Sequence, residues 1–393
     1  MQQKYRIWYL SVVMVVLTVV LSGCSATVPD VVGMEQAAAV SAVEAVHLVA
    51  AVIEGYSDTV AAGVVISQNP SAGTSLGTGS TVALVVSLGV MPFGAFPVPD
   101  TGQTGDYTAN WGEDADYTIN PHSYTDLGNG IVRDNVTGLE WVQDGNLVAS
   151  RDPLFDRDGY DKGDGWVTWQ HALEYVAKLN RESYLGYSDW RLPTIKELSS
   201  LIDAGTLSPA IDTDFFPDTV DSYYWSSTPD AFGAPWYVGF GYGFVTSLSN
   251  LTDALVRAVR AGKSEPESRF VDNGDGTVTD RATGLMWQQM TAPGKYKWEG
   301  ALLYCEGLEL AEYTDWRLPN RNELQSLVDY DYSYPAIDST FFPDTVMSDD
   351  YWSSTIYANN TVNAWSVIFS SGGVGCENRP DGRYYVRAVR AGQ

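Results

Sequence analysis

The sequence predicts a mixed α+β protein with a small β-α-β-β-β unit followed by two tandem α+β domains. Its 393 residues are too many for one hydrophobic core, so two or three domains are expected. The N-terminal part contains one helical stretch and several short β-type runs. The remainder repeats a set of Trp-rich blocks, which indicates a duplicated domain.

Residues 1–23 are typical of a secretion signal. Lys4 and Arg6 precede an apolar run over residues 8–21, which as a helix would be about 21 Å long and too short to span a membrane. The run ends in LSGC, which resembles a bacterial lipobox. The resemblance implies that Cys24 is lipidated, with acyl chains such as palmitate, and that the lipoprotein is sorted to the outer membrane. The alternative is an ordinary signal peptide with a chance cysteine.

The chain is strongly acidic, with a formal net charge of −26 that is spread along its length. Because no region is basic, nucleic-acid binding lacks its main driving force, and we expect no such partner. Polyanionic glycans are also opposed unless a local Arg/Lys patch forms.

Residues 27–89 form the first predicted domain. VPDVVGM opens it, and a helix is predicted from Glu35 to about Ala50, with His47 on it. Short β-type runs follow at residues 51–53, 64–67 and 81–87. This order, with VISQNPSAGT before the last hairpin, resembles a PASTA domain. The resemblance implies a wall-associated module that recognises peptidoglycan in some proteins and acts as a spacer in others. A linker is predicted at residues 90–104.

An internal repeat occupies the rest of the chain, in copies predicted at residues 105–263 and 266–393. The blocks TGLxW, DWRLP, FFPDTV, YWSST and VRAVRAG begin at residues 137, 189, 215, 224 and 256, and recur at 283, 315, 341, 351 and 386. Each copy is predicted to contain a hairpin, two helices and several aromatic, β-branched strands. Capping boxes at Thr194 and Asn320 begin the second helices.

These blocks make both copies similar, almost end to end, to the bacterial Lcl C-terminal domain, named after the Legionella collagen-like adhesin. The resemblance implies a variant of the C-type-lectin-like fold and a non-enzymatic role in recognition or adhesion, with glycan as the ligand class. One alternative is an enzyme with the related formylglycine-generating-enzyme fold. Another is a structural protein of envelope assembly.

Cys305 and Cys376 remain as an even pair once Cys24 is lipidated. Both cysteines are absent from copy one, as expected if they bond each other, and exported proteins retain disulfides. We therefore predict a disulfide that closes a loop of about 70 residues. The alternative is a redox or copper-binding dithiol.

The candidate metal ligands lie in an acidic insertion of copy one. They are Asp156, Asp158, Asp161 and Asp164. Their spacing does not match an EF-hand, because Tyr160 occupies position 5 of the loop and an aspartate occupies position 6. A solvated acidic loop is the main interpretation, and a looser Ca²⁺ site is the alternative. No other cofactor is expected.

Aromatic and amide residues that differ between the copies are the candidate ligand-binding residues. Tryptophans shared by both copies are expected in the core. The candidates flank the last strands and are Tyr237, Tyr242 and Phe244 in copy one, and Tyr357, Asn359, Asn360 and Asn363 in copy two. Aromatic faces and amide hydrogen bonds bind sugar rings without charge. The expected partners are the membrane, through the lipid anchor, and peptidoglycan or another polysaccharide.

No catalytic set is predicted. His47, His122 and His171 lie outside the repeated blocks, and copy two has no histidine, which excludes a Ser-His-Asp arrangement there. The sequence marks no carboxylate pair for glycoside hydrolysis. A duplicated domain instead favours avidity, because two weak sites on one polymer raise the apparent affinity.

Overall fold

The structure, a computed structural model, describes residues 25–55, 57, 60–89, 95–155, 163–247, 253–261 and 269–392. The predicted signal segment, Cys24, Asp156, Asp158 and Asp161 lie outside the described residues. The chain divides into two compact units, one before and one after residue 90. Within the described ranges, no helix is long and apolar enough to cross a membrane.

Within its described residues, the first unit contains one helix, a three-stranded sheet and a two-stranded sheet. Its elements are β1 (Ser25–Thr27), α1 (Gln36–Ala45), β2 (Val49–Gly55), β3 (Val65–Asn69), β4 (Ser75–Gly77) and β5 (Thr81–Ser87). Strand β5 lies in the centre, parallel to β2 and antiparallel to β3, and β1 pairs with β4. Ala39 and Val43 of α1 share one hydrophobic core with Val82 and Leu84 of β5.

Helix α1 is shorter than the sequence predicts. It ends at Ala45 rather than near Ala50, and His47 lies in the turn after it. His47 has a φ of 61°, and its backbone N–H donates to the carbonyl of Glu44. This left-handed conformation ends the helix. The β-branched residues that follow then enter the sheet as β2.

The second unit contains both copies of the repeat. Copy one consists of β6 (Tyr124–Asp126), β7 (Ile131–Asp134), β8 (Glu140–Val142), α2 (Leu147–Arg151), β9 (Val167–Thr168), α3 (Trp169–Arg181), α4 (Ile195–Ser199), β10 (Tyr223–Pro229), β11 (Pro235–Gly239), β12 (Phe244–Ser247), β13 (Asp253–Ala254) and β14 (Val259–Arg260). Copy two consists of β15 (Phe270–Asp272), β16 (Thr277–Asp280), β17 (Leu285–Gln288), α5 (Trp298–Glu306), α6 (Arg321–Ser326), β18 (Tyr351–Ile356), β19 (Asn363–Ile368), β20 (Gly373–Asn378) and β21 (Val389–Ala391). The predicted α+β class is confirmed.

Each copy brings its two ends together in a four-stranded antiparallel sheet. The orders are β14-β8-β7-β6 and β15-β16-β17-β21. The VRAVR strand therefore returns to the TGLxW strand, with Val259 opposite Trp141 and Val389 opposite Trp287. The predicted capping boxes at the starts of α4 and α6 are confirmed.

A six-stranded sheet joins the two copies. Its order is β10-β11-β12-β20-β19-β18, so three strands of copy one meet the three equivalent strands of copy two. The central pair, β12 and β20, is antiparallel, with Val245 opposite its repeat equivalent Val374. A local two-fold axis therefore relates the copies at this pair, which we call the seam. The tandem copies, predicted as separate domains, form one unit because each covers the other's edge strand.

Three hydrophobic cores support this sheet. One includes α3 of copy one and another includes α5 of copy two. The third lies at α4 and α6 and extends across the seam. Most tryptophans shared by both copies are buried, as predicted, and at most 3 % exposed: Trp141, Trp190, Trp225, Trp236, Trp287, Trp298, Trp316, Trp352 and Trp365.

Residues 95–120, which we call the bridging segment, pack against the paired copies, although residues 90–104 were predicted to be a linker. The side-chain amide of Gln103 pairs with the backbone of Ile356 at the end of β18. Its Nε2 donates to the Ile356 carbonyl at 2.7 Å, and its Oε1 accepts from the Ile356 N–H at 2.8 Å. The side chain thus closes the outer edge of β18.

Asp114 forms a second contact between the bridging segment and copy two. Its Oδ2 accepts hydrogen bonds from the hydroxyls of Thr101 and of Thr355 in copy two, each at 2.6 Å. The Thr101 carbonyl accepts from the backbone N–H of Ala204 in copy one. The segment therefore contacts both copies.

Candidate functional site

A groove of about 590 Å³ crosses the six-stranded sheet at the seam. Its lining includes Tyr223, Tyr237, Gly239, Tyr242, Phe244 and Thr246 from copy one, and Ile368, Ser371, Gly373 and Gly375 from copy two. Tyr223 lies opposite Gly239, and Tyr237 opposite Thr246, so these four residues share one face. Trp236 also contributes to the lining, but it belongs to the core at α4 and α6. The groove therefore opens on the face away from those helices.

Tyrosine rings form the copy-one side of the groove. Tyr223 and Tyr242 are 44 % and 45 % exposed, whereas Tyr237 is buried beneath Tyr223. The rings of Tyr223 and Tyr237 meet edge to face, with centroids 4.8 Å apart. A Cβ atom on Gly239 would lie 3.2 Å from the Tyr223 ring, so the glycine seats that ring on the sheet. Burial raises the pKa of Tyr237 to about 12, which keeps its hydroxyl protonated.

The floor of the groove exposes backbone, and its charge is low. A Cβ atom on Gly375 would meet no atom within 4 Å, so a ligand has access to the strand there. Among the described residues of the lining, Asp221 is the one charged side chain, and none is Lys, Arg or His. Such a surface suits a neutral ligand with flat apolar faces and hydroxyl groups.

The two sides of the groove differ although the copies are related by symmetry. Tyr223 and Tyr237 occupy the positions that Asp350 and Ser366 occupy in copy two. The hydroxyl of Ser366 donates to Asp350 Oδ2 at 2.7 Å, and burial raises the pKa of Asp350 to about 6. Sequence reasoning missed Tyr223. It immediately precedes a YWSST block and differs between the copies, which is a signal that could have found it.

The predicted ligand residues of copy one line the groove, but those of copy two do not. Tyr357 is 7 % exposed and packs on Trp365 and on Phe244, with ring centroids 5.4 and 5.7 Å away. The amide of Asn363 points to the sulfur of Cys376, 3.8 Å away. Asn359 and Asn360 are exposed in the turn before β19. Tyr357 therefore contributes to packing across the seam.

Cys305 and Cys376 are free thiols, so the predicted disulfide between them is wrong. Cys305 lies on α5 in the core that contains Ala364. Cys376 lies opposite Trp365, whose ring belongs to the core at α4 and α6. Because neighbouring residues of β19 point to opposite faces, the sheet separates the two sulfur atoms. Burial also raises the pKa of both thiols, which disfavours the reactive thiolate.

Of the four predicted metal ligands, Asp164 lies within the described residues. Its Oδ1 accepts from the Trp166 N–H at 3.0 Å, and its carbonyl accepts from the amide of Asn146 at 2.8 Å. Across the described part of the chain, no three or more His, Cys, Asp or Glu side chains are grouped to hold a metal. The Ca²⁺ site stays a prediction.

The fold defines a two-part chain, a small β-α-β unit and a pair of fused α+β repeats. The PASTA domain family matches residues 26–88, and the Lcl C-terminal domain family matches residues 130–260 and 276–390. The Lcl matches cover more than half of the chain, which therefore belongs to the Lcl C-terminal domain family. No curated protein matches the chain.

Two solved structures from Staphylococcus aureus are similar to short parts of the chain. The entire extracellular region of the Ser/Thr kinase PrkC is 36% identical over 17% of this chain and 24% of its own, with a TM-score of 0.16. A three-PASTA-domain structure of a Ser/Thr kinase is 24% identical over 19% of this chain and 38% of its own, with a TM-score of 0.17. The chain thus spans well under half of either structure.

Proposed function

We propose that this chain is an envelope-anchored, non-enzymatic recognition protein for glycan or cell-wall polysaccharide. The observation that carries the proposal is the groove at the seam, with its two exposed tyrosines, its open glycine floor and no cation among the described lining residues. Tyrosine faces pack on the apolar faces of sugar rings, and the exposed backbone binds their hydroxyls. One groove, built jointly by both copies, replaces the two separate sites that duplication suggested.

The remaining parts of the chain support an envelope location. The PASTA domain supports contact with peptidoglycan, and the lipobox-like ending at Cys24 supports a lipid anchor in the outer membrane. Contact with peptidoglycan favours the periplasmic face, whereas adhesion favours the cell exterior. Cys24→Ala should move the chain from the membrane fraction to the soluble fraction and abolish labelling with palmitate.

The proposal of a non-enzymatic role has support from the thiols. An enzyme of the formylglycine-generating type needs reactive cysteine, whereas burial raises the pKa of both Cys305 and Cys376 here. The two sulfur atoms also lie on opposite sides of the sheet, so they do not form a dithiol pair.

A binding panel with the full chain tests the groove. Soluble peptidoglycan glycan strands, chitin oligosaccharides and cello-oligosaccharides are titrated by calorimetry, with and without EDTA. Tyr223→Ala and Tyr242→Ala should each weaken binding by about tenfold, because each removes an exposed ring. Tyr332→Ala is the matched control, since Tyr332 is 66 % exposed but outside the groove.

Two outcomes of this panel would change the proposal. No saturable binding to any of the saccharides, or full binding by both groove variants, contradicts it. Loss of binding in EDTA would support the alternative of a Ca²⁺ site in the acidic insertion of copy one.

A further inference from the structure

We propose a second saccharide-binding site at the exposed face of Trp111, in the bridging segment. The proposal rests on the proposed function for its ligand class, a sugar polymer. The site shares no residue with the groove at the seam. Trp111 and Tyr117 also lie outside the residues that the two domain families match.

Trp111 is unusual among the tryptophans of this chain. Its side chain is 61 % exposed, whereas every other tryptophan within the described ranges is buried or half-buried. A ring that leaves most of its surface in water contributes little to the hydrophobic stabilisation of the fold. The exposed face of Trp111 is therefore available to a ligand.

The Trp111 ring is nevertheless held in place. Its Nε1 donates to the Tyr117 hydroxyl at 3.1 Å, and the two rings meet at 70° with centroids 5.9 Å apart. The Tyr117 hydroxyl in turn donates to Glu306 Oε1 at 2.7 Å, at the end of α5. The guanidinium group of Arg317 lies over the Tyr117 ring, 5.2 Å from the ring centroid. A fixed aromatic face loses little conformational entropy on binding.

The loop that presents Trp111 is closed by its own hydrogen bonds. The carboxylate of Glu113 accepts from the backbone N–H groups of Tyr107 and Thr108, at 2.8 and 2.7 Å. Asp116 Oδ2 accepts from the N–H groups of Gly112 and Glu113, at 2.8 and 3.0 Å. Trp111 therefore lies at the tip of a loop with a fixed frame, as a preformed site requires.

The surroundings of Trp111 indicate the class of ligand. The other exposed residues of the loop are small or polar, namely Thr104, Gly105, Asp106 and Ala109, except for Tyr107, which is 36 % exposed. The exposed surface of these two rings, Trp111 and Tyr107, is still far smaller than the roughly 800 Å² per partner of a stable protein interface. The adjacent carboxylate of Glu306 can accept hydroxyl hydrogens and opposes polyanions. A neutral sugar ring stacked on the indole fits both the small apolar surface and the neighbouring carboxylate.

Fluorine NMR on the full chain labelled with 5-fluorotryptophan tests this site. The signal that disappears in Trp111→Phe identifies Trp111, and neutral chitin oligosaccharides are then titrated into the wild-type chain. We expect a saturable shift of that signal. Trp111→Ala should weaken binding of the chitin oligosaccharides by about tenfold, the loss typical of a central aromatic contact.

Two further variants separate stacking from a general loss of structure. Tyr117→Phe keeps both rings but removes the hydroxyl that holds the indole and Glu306, so we expect binding to weaken by about threefold. Phe232→Ala is the matched control, because Phe232 is 87 % exposed and its described hydrogen bond, from its backbone N–H to Asp230 Oδ1, does not hold the ring. It should bind as the wild type does.

The outcomes distinguish this inference from the proposed function. An unmoved Trp111 signal, with glycan binding that Tyr242→Ala weakens but Trp111→Ala does not, overturns the second site and leaves the groove intact. No binding of any saccharide overturns both. A shift of the Trp111 signal that persists in Tyr242→Ala supports two independent sites.

Discussion

Asp114 is the residue whose ionisation is most closely tied to the packing of the bridging segment. Its carboxyl group is buried and accepts hydrogen bonds from Thr101 and Thr355. Desolvation raises its pKa to about 7, and the two hydroxyl donors only partly offset this effect. The nearby acids Asp100 and Glu323 raise the pKa further. Ionisation of the Asp114 carboxyl near neutral pH is therefore opposed by its buried surroundings and by the nearby acids.

We predict that Asp114→Asn reduces the pH dependence of stability. Between about pH 4 and pH 7 the folded chain retains this proton while the unfolded chain loses it, so stability falls as pH rises through that window. Asparagine stays neutral and can still accept from both hydroxyls. When the pH rises from 4 to 8, the free energy of unfolding of the wild type should therefore fall by on the order of a few kcal/mol more than that of the variant.

Urea unfolding at pH 4 and pH 8, followed by tryptophan fluorescence, measures this difference. Asp106→Asn is the control, because Asp106 is an exposed acid of the same segment. An equal pH dependence in wild type and Asp114→Asn would refute the prediction.

The outer strands of the six-stranded sheet, β10 and β18, are protected in different ways. In copy two the Gln103 amide pairs with both backbone groups of Ile356. The equivalent residue of copy one is Pro229, at the end of β10, which has no N–H group to leave unpaired. The bridging segment therefore pairs with the outer edge strand of copy two, β18, and not with β10 of copy one.

We predict that Gln103→Ala destabilises the paired copies by about 1–3 kcal/mol, because it leaves two buried backbone groups of Ile356 without partners. Hydrogen exchange of the Ile356 amide should become faster at the same time. Gln170→Ala is the control, since Gln170 is exposed on α3. Unchanged protection of the Ile356 amide would show that the side chain does not close the edge.

At the scale of the molecule, the seam makes the two copies one cooperative unit. Arg321 of α6 donates from Nη2 to the Gly243 carbonyl at 2.7 Å and lies over the Trp365 ring. Copy one has Ile195 at the equivalent position. Desolvation lowers the pKa of the buried Arg321 to about 10. The two halves of the seam are thus not interchangeable.

We predict a single tryptophan-fluorescence transition for the paired copies, separate from the first unit, which contains no tryptophan within residues 25–89. Gly243→Ala should lower the midpoint of that transition. Gly243 has a φ of +83°, and an added Cβ would lie 3.0 Å from Ile202 and 3.6 Å from Trp365. We expect a loss of at least about 1–2 kcal/mol, from the left-handed backbone plus crowding at the seam.

Gly274→Ala is the matched control for this variant. Gly274 has a similar φ of +75°, but its added Cβ would meet no atom within 4 Å. Because both glycines have a left-handed backbone, the difference between the losses of stability of the two variants measures the crowding at the seam. Two tryptophan transitions in the wild type would contradict the single unit.

Local patterns predicted the elements well and the site only in part. The capping boxes and the buried, shared tryptophans depend on neighbouring residues and on hydrophobic periodicity, and both predictions are confirmed. Tyr237, Tyr242 and Phe244 were found because they differ between the copies and flank the last strands. Tyr223 and the copy-two residues that line the groove were missed because their role depends on which strands meet at the seam.

The sequence by itself determined the two domain families, the α+β class and the buried tryptophans, because each depends on residues within one repeat. Only the tertiary structure decided that β12 meets β20, that one groove replaces two sites, and that a sheet separates Cys305 from Cys376. Strand side chains alternate between faces, so the face of each residue depends on long-range register. That register is set by contacts between segments far apart in the chain.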